Sequence, residues 1–132
     1  MPGSNYPDPP ARANISWEGD SLTVLKRWSR DVQDDIGNSL RNLQEGKRPI
    51  LPTRPMQAIG NGVFQLKAAD EAAWYRVIYL SRIEDTIYVL DSFTKKTRKT
   101  EKNDLNRARA RWSMVRQRLQ KEKIDAKRRK DK

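Results

Sequence analysis

The 132-residue chain contains no histidine and no cysteine. It therefore lacks the usual general base, a thiolate nucleophile and the commonest metal ligand. Any proton transfer falls to lysine, tyrosine or carboxylate groups. Two groups of cations stand out by position. Arg76 interrupts WYRVIYL, residues 74–80, and the segment FTKKTRKT, residues 93–100, sets Lys95, Lys96, Arg98 and Lys99 just behind Phe93. An apolar strand has no need of an arginine, so the Arg76 guanidinium is either partnered within the fold, by an acid such as Glu71 or Asp91, or aimed into a concave site. Offered to a ligand, it is a permanently charged fork suited to phosphate.

A hairpin must position both groups. WYRVIYL and TIYVLDSFTKK, residues 86–96, are rich in β-branched and aromatic residues and are joined by the polar connector SRIED, a pattern that predicts two antiparallel strands. Strand alternation puts Arg76 on one face with Trp74, Ile78 and Leu80, and Tyr75, Val77 and Tyr79 on the other. The hairpin brings Arg76 and the lysine cluster into one neighbourhood.

The remaining elements follow from patterning. Residues 1–13 hold four of the seven prolines and read as a flexible leader. Asn14–Glu18 predicts a strand. Leu22, Leu25 and Trp28 predict a short helix capped by Asp20 or Ser21. Ser29 caps a second helix over Arg30–Glu45 with the apolar stripe Val32, Ile36, Leu40 and Leu43. Gly37 within it costs about 1 kcal/mol relative to Ala, which implies close approach of another element. The proline-punctuated stretch Lys47–Gly62 reads as a loop and Val63–Leu66 as a strand. Thr100 caps a last helix with Leu105, Ala108, Trp112, Val115 and Leu119 on its packing face. From Lys121 onward the chain is expected to fray. The expectation is one α+β domain over residues 14–120 with order β-α-α-β-β-β-α, an antiparallel sheet and helices packed on one face.

Charge narrows the partners. Residues 1–92 carry 11 Lys+Arg against 12 Asp+Glu, whereas residues 93–132 carry 17 against 5. Such a concentration is the footprint of a nucleic-acid binder, or of a solvated basic tail. The absence of cysteine suits a cytoplasmic protein. No apolar run reaches the roughly 20 residues of a membrane span, and the first ten residues have no signal-peptide pattern.

The co-linear series GVFQL, WYRVIYL, a short turn, IYVLDSFTKKTRKT and an arginine-rich last helix resembles the RelE/ParE toxin superfamily. It is most similar there to the phage-derived HigB-like toxins of bacterial type II toxin-antitoxin modules. The resemblance runs from about Ile15 to Leu119. It implies a RelE-like fold and a ribosome-dependent endoribonuclease that cuts translated mRNA, needs no cofactor and is silenced by a cognate antitoxin. That antitoxin is expected to be a helix-turn-helix, HigA-like repressor. The family's arginine falls on Arg76, and its phenylalanine and two lysines fall on Phe93, Lys95 and Lys96. Many relatives carry a histidine where this chain has Asp91.

The implied chemistry is attack by the RNA 2′-hydroxyl on its own phosphodiester. Arg76 would stabilise the phosphorane, and Lys95, Lys96 or Lys67 would act as base or acid. Phe93, Arg98, Lys99 and Tyr79 would bind RNA. Phosphate binding without catalysis stands beside this reading for the lysines, and sheet packing stands beside it for the tyrosine. Two further functions remain open: a ParE-like gyrase inhibitor without chemistry of its own, and a non-catalytic nucleic-acid-binding module.

Overall fold

The computed structural model describes residues 12–96 and 102–131. Most of the leader, and Arg98, Lys99 and Thr100, lie outside the described residues. The elements are β1 (Asn14–Trp17), α1 (Ser21–Leu25), α2 (Arg30–Gln44), β2 (Thr53–Pro55), β3 (Val63–Ala69), β4 (Trp74–Ile83), β5 (Thr86–Lys95) and α3 (Lys102–Lys130). They form the expected α+β domain, with a five-stranded sheet in the order β1-β5-β4-β3-β2.

Local rules account for most boundaries. Ser29 accepts the backbone N–H of Val32 to cap α2, and Gly46 follows the helix with φ +76°, a left-handed conformation that glycine adopts without strain. The β4–β5 hairpin closes more tightly than the sequence suggests, with Ile83 opposite Thr86 and Glu84 taking φ 54°.

Four expectations are corrected. The sheet is mixed, because β1 pairs parallel with β5 while the other neighbours are antiparallel. Within the expected loop, Thr53–Pro55 pairs with β3, and its proline is tolerated because β2 is an edge strand. The helices cover both faces of the sheet. Val32, Ile36 and Leu40 of α2 join Leu66, Tyr75, Val77, Tyr79 and Val89 in one core. Ala108 and Val115 of α3 join Val63, Ile78, Leu80, Leu90 and Phe93 in the other. The physical reason is that both faces of β4 and β5 are apolar, and a sheet apolar on both faces must be covered on both. Finally, α3 continues as helix to Lys130, beyond the expected fraying at Lys121.

Electrostatics fasten α3 to the sheet. Arg107 reaches the buried Asp91, Arg111 reaches both Asp91 and Asp20, and Arg118 reaches Glu18. Trp112 packs so closely on Gly60 that a β-carbon there would collide with the indole.

Candidate functional site

Register decides which cations meet. Lys67 stands opposite Arg76, and Arg76 stands opposite Phe93. In the next row Trp74 stands between Ala69 and Lys95. Directly opposed residues share a face with β-carbons about 5 Å apart, so Lys67, Arg76, Trp74 and Lys95 form one patch at the end of the sheet where β5 runs toward α3.

A β-bulge makes that patch possible. Ile78 pairs with Asp91 but Tyr79 pairs with Val89, leaving Leu90 as an extra residue in β5. Unbroken alternation from Tyr88 and Leu90 would put Ser92 and Thr94 beneath α3, and Phe93 and Lys95 beneath α2. The extra residue reverses the parity. Phe93 accordingly packs in the α3 core, while Thr94 accepts a hydrogen bond from Trp28 Nε1 on the opposite side at 3.0 Å. The bulge also turns Asp91 toward α3. Sequence reasoning missed it; the only trace is the apolar run Val89-Leu90 meeting an aspartate where alternation expects a residue of the α2 face.

Arg76 is 4% exposed. Its guanidinium lies 5.8 Å from the Trp74 ring centroid and donates to the Tyr75 carbonyl at 3.1 Å, whereas its buried Nε has no hydrogen-bond partner. Burial alone lowers its pKa from the ordinary value. Among the described residues no carboxylate lies within ion-pair distance of Arg76 or Lys67. The alternative that Arg76 pairs with Glu71 or Asp91 is thereby set aside. Like charges placed opposite each other in a sheet destabilise it, and an unpartnered buried donor adds to the penalty. A fold that keeps both in place has a local conflict of the kind found at functional sites.

The patch opens to solvent beside β2, where Lys67, Trp74 and Arg76 share the wall of a hollow of about 370 Å³ with Asp35, Leu51 and Pro52. Lys96 is exposed and borders a neighbouring hollow formed by Ala69–Trp74. Lys95 is 4% exposed.

Two expected RNA contacts are corrected. Phe93 is 6% exposed and belongs to the α3 core, with the Arg107 guanidinium 5.9 Å from its ring. Tyr79 is 3% exposed on the α2 face, stacked on Phe64 with ring centroids 5.8 Å apart. Its burial pushes the phenol up to about 12. Both aromatics fill cores because the sheet is covered on both faces, so neither offers a surface to a nucleobase.

Asp91 is fully buried. Arg107 Nε donates to its two carboxylate oxygens at 3.1 and 2.9 Å, and Arg111 donates at 2.9 Å. Burial raises its carboxyl above the ordinary range, and the hydrogen bond and charge of Arg107 oppose that rise. Both oxygens are occupied by α3, so Asp91 serves as an anchor for that helix.

The family described as "Phage derived protein Gp49-like (DUF891)" matches residues 23–113. That span contains the bulge, Asp91 and every residue of the cationic patch. No curated protein and no solved structure matches the chain. No described helix is long and apolar enough to cross a membrane. With more than half of its length inside that match, the chain belongs to the Gp49-like family of phage-derived proteins, a toxin-type family of the RelE/HigB kind.

Proposed function

We propose that the protein is the toxin of a type II toxin-antitoxin pair and cuts mRNA on the ribosome, with Arg76 and Lys67 at the scissile phosphate. The observation that carries this reading is the opposition of Lys67 and Arg76 without a carboxylate partner, at a hollow bordered by Trp74. In the reaction O2′ attacks the adjacent phosphorus and the P–O5′ bond breaks. The products are a 2′,3′-cyclic phosphate and a 5′-hydroxyl. The proton lost from O2′ is balanced by one delivered to O5′.

Arg76 clamps two non-bridging oxygens and stabilises the charge that grows on them; removal of one such preorganised contact typically costs 10²- to 10³-fold in rate. With no histidine in the chain, proton transfer rests with the lysines at this end of the sheet: Lys67 in the wall of the hollow, Lys95 in the row of Trp74, and Lys96 at the neighbouring hollow. Trp74 presents the one aromatic surface of the hollow among the described residues, suited to stacking against a splayed base. A cognate antitoxin, expected to be a helix-turn-helix protein, would silence the enzyme by covering this cationic end.

The test is primer extension on mRNA from a cell-free translation reaction. Wild type should give discrete, ribosome-dependent cuts, and Arg76→Ala should reduce them about 10²-fold or more while remaining folded. Intact mRNA with arrested translation, or blocked gyrase supercoiling, would overturn the reading.

A further inference from the structure

Helix α3 carries a pattern that the cleavage site does not use. Lys102, Arg109, Arg116, Lys123 and Lys130 recur every seven residues and are all exposed. Seven residues turn a helix to within about 20° of two full turns and advance it about 10.5 Å, so the five cations form one stripe about 42 Å long. Among the described residues none of them forms an ion pair. Arg109 donates to the Ala58 carbonyl and Arg116 lies 5.6 Å from the Trp112 ring centroid, contacts that orient the side chains and leave their charge uncompensated.

Two other arginines of α3 behave differently. Arg111 and Arg118, also seven apart, spend their charge on Asp20, Asp91 and Glu18. The helix thus keeps one basic row for the body of the protein and another for solvent. Its acids Asp104, Glu122 and Asp125 each lie about 100° or more around the circumference from the stripe cation nearest to them in the chain. The open flank of the stripe is Asn106, Ser113, Gln120 and Lys127, all exposed and without a carboxylate.

We infer that this stripe is a second nucleic-acid surface, separate from the cationic patch, which grips the phosphates of double-stranded RNA and so holds the protein on structured ribosomal RNA. An acidic partner helix is the competing occupant. The stripe and its open flank are cationic or polar, and the exposed Ile124 that borders them is too little apolar surface for the dry centre that protein interfaces need, whereas phosphate binding needs only cations and polar donors. The choice of RNA over DNA rests on the proposed function. The family match ends at Ser113, so Arg116, Lys123 and Lys130 are features of this chain outside the matched span.

The experiment measures binding of the full chain to a 20-base-pair RNA duplex as a function of salt. It compares wild type, the stripe variant R116Q/K123Q/K130Q, and an equal-charge control K121Q/R128Q/R129Q on other faces of α3. Each phosphate contact contributes close to one unit to the slope of log affinity against log salt. The stripe variant should lower that slope by about 2–3 and weaken binding by roughly 10- to 100-fold near 0.15 M salt, and the control should do neither. Equal losses in the two variants, no loss in either, equal affinity for a DNA duplex, or loss of antitoxin binding alone would overturn the inference. Cleavage is scored separately on an unstructured mRNA. Failure of wild type to cut would sink the nuclease reading, while the duplex measurement still decides the stripe.

Discussion

Arg107 Nε holds both carboxylate oxygens of the buried Asp91, at 3.1 and 2.9 Å. Arg111 adds a third contact to the same carboxylate and a further bond to the Leu90 carbonyl. The aspartate is reached from α3 only because the bulge at Leu90 turns it to that face.

Removing the carboxylate leaves the half-buried Arg111 without its inner partner, and breaking a buried pair from one side costs several kcal/mol. Asp91→Ala should lower unfolding free energy by about 3 kcal/mol, and Asp91→Asn by less because one acceptor oxygen remains. Urea denaturation measures both. A folded Asp91→Asn protein should still cut mRNA, and a folded but inactive one would show that the carboxylate takes part in the chemistry.

Lys67 against Arg76 makes the opposite prediction for stability. Lys67→Gln removes a like-charge opposition and should stabilise the fold by roughly 0.2–1 kcal/mol, while cleavage falls. Thermal unfolding and primer extension on the same preparation check the two halves. Unchanged cleavage with raised stability would remove Lys67 from the site.

Gly37 was expected to accommodate a neighbouring element, yet a β-carbon placed there meets nothing within 4 Å. The residue sits inside α2 with ordinary helical geometry and open space around it. Gly37→Ala should therefore stabilise the protein by about 1 kcal/mol, through helix propensity and a more restricted unfolded chain. A measured loss of stability would mean that this surface is covered in the functional assembly.

Tyr79 provides a pH signature. Burial pushes its phenol up to about 12 from the model-compound value of 10.0. The folded state then binds this proton more tightly than the unfolded state, so the contribution is fully present below pH 10 and is lost as pH rises through about 12. Stability should fall over that window. Tyr79→Phe should flatten the fall, as read by chemical denaturation across alkaline pH. A wild-type tyrosinate absorbance that titrates completely near pH 10 without unfolding would contradict the burial.

Local pattern alone determined the presence of the helices, though not the length of α3, and it determined the hairpin and the concentration of charge in the last third of the chain. Caps, apolar periodicity and β-branched runs act over a few residues, and Ser29, the α2 stripe and WYRVIYL all behave as their types dictate. Alternation also separated Arg76 from Tyr79 correctly. Tertiary structure alone decided the parallel docking of β1, the covering of both sheet faces and the burial of Phe93 and Tyr79. It also decided the union of Lys67 with Arg76 and Lys95. The reason is register: a single extra residue at Leu90 reverses which side chains face α3, and no local propensity marks it. Whether Arg76 met a carboxylate depended equally on long-range packing, because α3 claimed Asp91 through Arg107 and Arg111 and left the cations of the sheet facing one another.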